Sequence, residues 1–294
     1  MRKTEAIVAV AGWEDRFLRG LQSDVDSRAP SQLVVFAFEE YLSRTAEARA
    51  QLSVLAGEKG IRYREVRVKR EPVSLWQSVR RALSDREWSQ RSVLVDITTM
   101  PREVIWWAFS SLRSVQGDVS YVYHKPGNYP AAWVTRDTDQ PRLVYQHSGV
   151  SMFGRHTCLL LVSGFDADRA AQLIQFFEPR SVVIGLQTGS QYDNESKNVA
   201  LTRRVLEGTP NVRFFDMDAY SSDHGLAAME AAIVGQLGHY NVVAASLGPK
   251  PSAVALYRLQ SKHPDIALAY APSRQFNPKY SGGIGEAVTA ELAL

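Results

Sequence analysis

The residues that could carry out chemistry are concentrated in residues 92–112, where an apolar run gives way to a polar turn and then to a helical pattern. The turn contains Asp96, Thr98, Thr99 and Arg102. A carboxylate can position an attacking group or move a proton, and an arginine can stabilise the negative charge that develops in a phosphoryl reaction. We therefore predict that Asp96, Thr98 and Arg102 are the catalytic residues if the protein is an enzyme.

Residues 242–259 repeat this arrangement in the second half of the chain. When Pro101 is laid on Pro251, Asp96 falls on Ser246. The repeated turn carries hydroxyl groups, a glycine and a lysine, namely Ser246, Gly248, Lys250 and Ser252. A helix that begins near a proline presents unpaired N–H groups to the preceding turn, and such groups suit a phosphate oxygen. The alternative for Thr99 and Ser252 is that each only caps its helix.

Three more matches extend the repeat beyond these turns: Gly12 aligns with Gly164, Arg16 with Arg169, and Tyr123 with Tyr270. The separations are 152, 153 and 147 residues, close to the 150 residues between the two prolines. Short insertions and deletions are enough to keep the two halves in register. We interpret the chain as an internal duplication of one structural unit. The alternative is that two domains with the same rhythm of strands and helices match by coincidence.

Apolar runs and helical patterns alternate along both halves, which predicts parallel α/β units with right-handed crossovers. The apolar runs lie at residues 6–11, 33–38, 93–95, 119–123, 158–162, 181–185, 242–245 and 266–270. The predicted fold class is therefore α/β, with two tandem Rossmann-like parallel-sheet units related by internal duplication. We expect the first unit at 1–143, a linker at 144–155 and the second unit at 156–294. The C-terminal stretch is expected to form a short helix that packs on a partner or on the first unit.

Residues 61–68 are more polar than the other predicted strands and indicate a strand near the sheet edge. The densest group of basic residues lies here and just beyond: Arg62, Arg64, Arg67, Lys69 and Arg70. Charged side chains on an edge strand block pairing with other chains, and we favour this role. The alternative is that the cluster follows the phosphates of a nucleic acid.

In open parallel sheets a ligand binds beyond the carboxyl ends of the strands, where the strand order switches. Four predicted turns leave strands at that edge, at residues 12–16, 96–102, 164–169 and 246–252. Glycines there would allow close approach, Arg102 and Lys250 would contact phosphates, and the two aligned tyrosines would contact bases. The predicted ligand-binding residues are Gly12, Glu14, Arg16, Thr99, Tyr123, Gly164, Asp166, Ser246, Gly248, Lys250, Ser252 and Tyr270.

Composition argues against several classes of protein. The chain has 294 residues, and its 34 basic and 31 acidic side chains give a formal net charge of +3, which is too even a balance for a general DNA-binding protein. No apolar stretch is long enough for a membrane span or a signal peptide. The single cysteine, Cys158, can form no internal disulfide. We therefore expect a cytoplasmic protein without a membrane association.

Motifs for common cofactors, metals and hydrolases do not occur in the expected places. No G-x-G-x-x-G follows the first predicted strand, the GPKPS turn lacks the Walker spacing, and there is no G-x-S-x-G. The six histidines are scattered without the spacing of a metal-binding motif, and His124 alone gives little support for catalysis. We expect neither a metal nor a cofactor.

The segment SLGPKPSAVALY, residues 246–257, resembles the TGGTK-type turn and small-residue helix of CRISPR-associated Rossmann-fold (CARF) domains. The fused pair of units is similar to the pseudo-dimer of SAVED domains. Residues 247–252 carry the match, and residues 96–102 are its diverged counterpart. Pro249 stands where the family pattern has threonine or glycine, and the first copy has neither the glycine nor the lysine.

The resemblance implies a sensor in bacterial antiviral signalling that binds a nucleotide or cyclic oligonucleotide second messenger between two Rossmann-like halves. Some members of these families cleave the ring they bind, so a phosphodiesterase or nucleotide hydrolase in the same cleft is the first alternative. The second alternative is a non-enzymatic interaction subunit in which residues 104–109, VIWWAF, and the glycine-rich tail dock a partner. A sensor of this kind would act through an effector protein or through homo-oligomers.

Overall fold

The computed structural model describes residues 4–84, 88–129, 135–188, 195–209, 211–279 and 281–292. The chain divides into two compact units. The first comprises Met1–Tyr129 together with Ser281–Leu294, and the second comprises Pro130–Tyr280. Among the described residues, no helix is both long enough and apolar enough to cross a membrane.

The first unit is a six-stranded sheet with four α-helices among its described residues. Its strands are β1 (Ala6–Val10), β2 (Gln32–Phe38), β3 (Arg62–Val68), β4 (Val93–Asp96), β5 (Val119–His124) and β14 (Ala287–Glu291). Its helices are α1 (Asp15–Arg28), α2 (Ala46–Glu58), α3 (Pro72–Leu83) and α4 (Arg102–Leu112). The strand order is β14-β5-β4-β1-β2-β3. All neighbours are parallel except β14, which pairs antiparallel with β5.

The strands form where continuous apolar runs permit burial on both faces. Every residue of β1, β2 and β4 is buried, as expected for the centre of a parallel sheet covered by helices. The order reverses between β1 and β4, so the turns that follow these two strands lie at the switch point. The predicted edge position of residues 61–68 is confirmed, because β3 is the last strand on its side.

The second unit repeats this plan. Its main sheet contains β7 (Arg142–Leu143), β8 (Thr157–Val162), β9 (Ser181–Gln187), β10 (Val212–Met217), β11 (Asn241–Ser246) and β12 (Ala267–Tyr270). Its helices are α5 (Ala167–Phe177), α6 (Glu195–Val205), α7 (Leu226–Ile233) and α8 (Lys250–Lys262). The order is β10-β9-β8-β11-β12-β7, and β7 is antiparallel to β12. Two further strands, β6 (Thr135–Thr138) and β13 (Ser273–Phe276), form a separate antiparallel pair.

Internal duplication is confirmed by the strand order and by the register of the sheets. Five parallel strands follow the same order in both units, and each sheet ends on an antiparallel edge strand. In the first sheet Ala6 pairs with Val93. Moving these residues by the 153 and 150 positions found in the sequence gives Leu159 and Val243, which pair in the second sheet. The predicted α/β class with two duplicated Rossmann-like units is therefore the observed one.

The unit boundaries differ from the predicted ones. Residues 144–155 were expected to form a linker, but Val144 is buried and its N–H donates to the Leu268 carbonyl (2.8 Å) inside the second unit. The C-terminal stretch was expected to form a helix, but residues 287–291 form β14 in the first sheet. Pairing with the open edge of β5 overrides the weak helical pattern of AVTAE, which contains two β-branched residues.

Two further differences concern helices. Helix α1 was not predicted, although Phe17, Leu21 and Val25 recur every four residues and are all buried in it. Trp106 and Trp107 lie in α4 and are almost fully buried, so residues 104–109 belong to the core of the first unit. Docking of a partner on these two indoles is therefore not supported.

We predict that removing residues 281–294 destabilises the first unit, because the deletion exposes the edge of β5. Five register pairs are lost, and each lost backbone hydrogen bond costs about 1 kcal/mol. Thermal unfolding of the truncated chain should begin well below that of the full chain. Glu291→Ala, which keeps the strand and changes an exposed side chain, is the control and should melt near the wild type. Equal melting temperatures for the truncated and full chains would contradict this strand pairing.

Candidate functional site

The two turns at the switch point of the first unit pack directly against each other. Thr99 Oγ1 donates to the Val10 carbonyl (2.6 Å), and a Cβ placed on Gly12 would lie 2.5 Å from Thr99 Cγ2. The glycine is therefore needed for turn packing. Helix α4 has Pro101 at its cap position and no side-chain cap, so the alternative that Thr99 caps the helix is wrong.

A buried arginine joins the start of α1 to the end of β5. The Arg16 guanidinium donates to Glu14 Oε2 (2.7 Å), to the Tyr123 hydroxyl (3.1 Å) and to the His124 carbonyl (3.2 Å). The Ser281 hydroxyl also donates to Glu14. Burial alone would lower the pKa of Arg16, but the charge of Glu14 and the nearby phenols raise it well above the usual value. Arg16 thus remains a cation held inside the unit.

Tyr123 is part of this internal network. Its side chain is 1% exposed, its hydroxyl accepts from Arg16, and the Arg16 guanidinium lies 5.5 Å from its ring centroid. The structure therefore does not support the predicted contact between Tyr123 and a base. Burial also places Arg16 away from the ligand surface that the sequence suggested for it.

Asp96 and Thr98 also face the interior. The Thr98 N–H donates to Asp96 Oδ1 (2.8 Å), and Thr98 Oγ1 accepts from the His124 N–H (3.0 Å). Asp96 Oδ2 is buried and has no hydrogen-bond partner among the described residues. Burial raises the pKa of Asp96 to about 6. Arg102, the third predicted catalytic residue, is half-buried at the first position of α4.

Asp96 belongs to a buried cluster that sequence reasoning missed. His124 Nε2 lies 2.9 Å from Asp24 Oδ2, and one donor atom each from Asp24, Asp96 and His124 lies within 4.8 Å of the other two. Within the described part of the chain, this is the group of histidine and carboxylate side chains that could hold a metal ion. The three residues are spread over 100 positions, so no local spacing could reveal the cluster.

The two carboxylates of the cluster act on the imidazole of His124. Burial would lower the pKa of His124, but its hydrogen bond to Asp24 and the charge of Asp96 outweigh burial and raise the pKa. The imidazole of His124 packs against α1 at Gly20, because a Cβ at this position would lie only 2.5 Å from His124 Cδ2. The ring is therefore fixed between the helix and the end of β5.

The corresponding turns of the second unit are also in contact. A Cβ on Gly164 would lie 1.9 Å from the Leu247 carbonyl oxygen, and one on Gly248 would lie 2.8 Å from the Ser163 carbonyl oxygen. Larger residues would push the two turns apart. The predicted glycines are thus explained by the approach of backbone to backbone at the carboxyl edge.

The turn before α8 is built from small polar groups. Ser246 Oγ and Ser252 Oγ are 2.7 Å apart, and Ser252 Oγ donates to the Pro249 carbonyl (2.7 Å). Helix α8 has no side-chain cap, so capping by Ser252 is also not observed. Pro249 takes the position that Pro101 has in the first unit, whereas the sequence alignment used Pro251. The reason is that the turn between β4 and α4 is two residues longer than the turn between β11 and α8.

Two residues, Lys250 and Gln187, place polar groups at this edge. Lys250 is the first residue of α8 and is half-buried. Gln187, the last residue of β9, was missed by sequence reasoning, and its Oε1 accepts from the Ala219 N–H (3.1 Å). Its buried Nε2 has no hydrogen-bond partner among the described residues and lies 3.1 Å from where a Cβ on Gly248 would be.

Asp166 and Arg169 correspond to the acid and arginine at the start of α1. Asp166 caps α5 by accepting from the Arg169 N–H (3.1 Å) and also accepts from the Thr135 hydroxyl (2.8 Å). The Arg169 guanidinium donates to the Ala271 carbonyl, just beyond the end of β12. Tyr270 is half-buried, and the Arg142 guanidinium lies 5.4 Å from its ring centroid. Tyr270 is thus more accessible than its aligned partner, Tyr123.

Together, the fold and these turns define a tandem Rossmann-like α/β protein. A solved Type III CRISPR defence DNA nuclease activated by cyclic oligoadenylate is similar over 86% of this chain, with 12% identity and a TM-score of 0.57. The match covers 63% of the nuclease, so this chain spans less than two thirds of its length. At this identity the similarity shows the fold alone.

Two other solved structures match over most of the chain with low scores. A universal stress protein from Archaeoglobus fulgidus has 10% identity, with 90% of this chain and 94% of that chain covered, and a TM-score of 0.28. A UDP-GlcNAc 2-epimerase from Neisseria meningitidis has 8% identity, coverages of 85% and 80%, and a TM-score of 0.27. No protein-family model and no curated protein matches the sequence.

We predict that Arg16→Met destabilises the protein by about 3–5 kcal/mol, because it leaves the Glu14 carboxylate without its buried cation. Arg19→Met is the matched control, since Arg19 is exposed on the same helix and its loss should change stability by about 0.5 kcal/mol or less. Denaturant unfolding measures both values. Similar midpoints for the two variants would contradict the network described above.

Two glycines on helices provide a second matched pair. Gly20→Ala should lower stability by about 1–3 kcal/mol, because the added carbon overlaps the His124 ring. Gly57→Ala, where a Cβ meets nothing within 4 Å, should raise it by up to about 1 kcal/mol through better helix propensity. Thermal unfolding of both variants tests this. If Gly20→Ala is stabilising, the imidazole does not lie where the structure places it.

Proposed function

We propose that the protein binds a nucleotide or cyclic oligonucleotide second messenger and acts as a sensor in antiviral signalling. The observation that carries the proposal is the turn between β11 and α8. There Lys250 begins a 13-residue helix, at the carboxyl edge of a parallel sheet and beside the glycine turn at Gly164. A helix N-terminus with a lysine favours a phosphate through N–H groups and charge together.

Gln187 supports the same location. Its Nε2 is a buried donor without a hydrogen-bond partner among the described residues, and it lies at the turn that precedes Lys250. Leaving such a donor unmatched costs about 1–3 kcal/mol, which a ligand acceptor would recover. The fold similarity to a nuclease described as activated by cyclic oligoadenylate agrees with this class of ligand.

The burial of Asp96 and Thr98 favours a sensor over the alternative of a phosphodiesterase or nucleotide hydrolase. Both side chains are at most 1% exposed and hydrogen-bonded to their own turn or to the end of β5. A group that attacks or protonates a ligand must reach it within hydrogen-bond distance. Arg102 is half-buried at the start of α4 and remains a proposed phosphate contact. The signal of a sensor would pass to an effector protein or to a second copy of the chain.

We expect one class of nucleotide to raise the melting temperature in a panel of mononucleotides, dinucleotides and linear and cyclic oligoadenylates. Saturation at 100 times Kd adds about 2.7 kcal/mol of stability, a rise of ~5 °C for a chain of this size. Lys250→Ala should abolish the rise. Lys262→Ala is the control: it removes a lysine charge from the other end of α8, where Lys262 pairs with Glu230. The rise in melting temperature should persist in this variant.

The remaining arms of the experiment separate the alternatives. No response from the whole panel would contradict nucleotide binding. Chromatography of the incubated ligand should return it intact; products that disappear with Asp96→Asn would establish the enzyme instead. The sequence predicts that both repeats bind a single ligand. We therefore expect titration calorimetry to give a stoichiometry of one ligand per chain.

A further inference from the structure

We propose that Asp24, Asp96 and His124 bind a divalent transition-metal ion inside the first unit. The proposal does not depend on nucleotide binding, because the three residues are 6%, 1% and 4% exposed and lie in the interior. Their donor atoms converge within 4.8 Å. Zinc is the ion that we expect.

The fold brings the three residues together from separate elements. Asp96 ends β4 and pairs with Val122, so His124 follows two residues further along the neighbouring strand and on the same face of the sheet. Helix α1 passes over this face and supplies Asp24. Gly20, one helical turn before Asp24, leaves room for the imidazole against the helix.

The donor atoms have the chemistry and spacing of a metal site. His124 Nε2 and Asp24 Oδ2 are 2.9 Å apart. Two ligands on one tetrahedral zinc ion, at bond lengths of about 2.0–2.2 Å, lie about 3.4 Å from each other, so these two atoms would separate by about 0.5 Å when an ion binds. Asp96 Oδ2 is buried without a partner among the described residues and supplies the third ligand.

The other oxygen of each carboxylate is oriented from outside the cluster. The Thr98 N–H donates to Asp96 Oδ1 (2.8 Å), and Arg28 Nε lies 3.6 Å from Asp24 Oδ1. Outer partners of this kind fix the direction of metal-binding carboxylates. Asp96 therefore has one oxygen that accepts a hydrogen bond and one available for an ion, while Asp24 has Oδ1 near Arg28 and Oδ2 beside His124.

Asp96 is the carboxylate of the cluster that needs a cation. Arg28 Nε lies 3.6 Å from Asp24 Oδ1 and His124 Nε2 lies 2.9 Å from Asp24 Oδ2, whereas Asp96 Oδ2 is buried without a partner among the described residues. A divalent cation would give this oxygen a partner, with His124 bound as a neutral imidazole, and would remove the cost of an uncompensated buried carboxylate. The alternative to a bound ion is a proton on Asp96, which would neutralise its carboxylate. Metal analysis distinguishes these two states.

The ligand set indicates the class of ion. One imidazole nitrogen and two carboxylate oxygens suit zinc, manganese, iron or cobalt. Magnesium and calcium prefer all-oxygen sites, and magnesium usually keeps several waters, for which this interior position is unsuited. Zinc is favoured within the group because three close protein ligands match its low coordination number.

The test begins with wild-type full-length chain purified without chelator from cells grown with added zinc. Elemental analysis should find about one zinc per chain, and the cobalt-loaded protein should show visible absorption from a low-coordinate site. Removing the metal with a chelator should lower the melting temperature, and zinc should restore it. Asp96→Asn should reduce the zinc content to about a tenth or less.

His224→Gln is the control, because His224 is a buried imidazole in the second unit, and its zinc content should match that of the wild type. The wild-type measurements need no variant, so a misfolded variant does not affect the outcome. Wild-type chain that contains no metal, and whose melting temperature does not respond to zinc, manganese or cobalt, would overturn the proposal. That result would assign the proton to Asp96 and would leave the nucleotide site unaffected.

Discussion

A buried arginine at the start of the first helix is the interaction on which each unit depends. Arg16 in the first unit donates to the carbonyl of His124, the last residue of β5. Arg169 in the second unit donates to the carbonyl of Ala271, just after β12. A guanidinium inside a protein must keep its partners, since an unpaired buried charge costs several kcal/mol. This requirement ties the turn after the first strand to the far side of the switch point and fixes the edge at which a ligand would bind.

The two copies use that edge differently. In the first unit, Asp96, Thr98 and Tyr123 are all directed inward, where they complete buried networks with α1 and β5. In the second unit, the matching turn carries serines and a glycine, and the helix behind it begins with Lys250. The sequence suggested chemistry in the first copy and phosphate binding in the second. The structure places Asp96, Thr98 and Tyr123 of the first copy in buried hydrogen-bond networks, and phosphate binding by the second copy is our proposal.

Buried side chains fill the switch point of the first copy. A buried carboxylate such as Asp96 is tolerated only if a proton, an ion or a cation compensates it. Gly12 and Gly20 lack side chains because Thr99 and His124 occupy the space beside them. A metal in this interior would strengthen the switch point from within, while the nucleotide contacts proposed for the second copy lie on its outer edge.

The sequence alone located most of the elements and their duplication, although not α1 or β14. Apolar runs and helical spacing are local signals, and they located the cores of the parallel strands and the edge position of β3. Local signals also identified Arg16 with Arg169 as equivalents. Tertiary structure decided what no local pattern contains. It placed β14 in the first sheet, turned Asp96 and Tyr123 into the interior and joined Asp24 to His124 across 100 residues, because such contacts depend on how the strands pair and on which face each side chain points to.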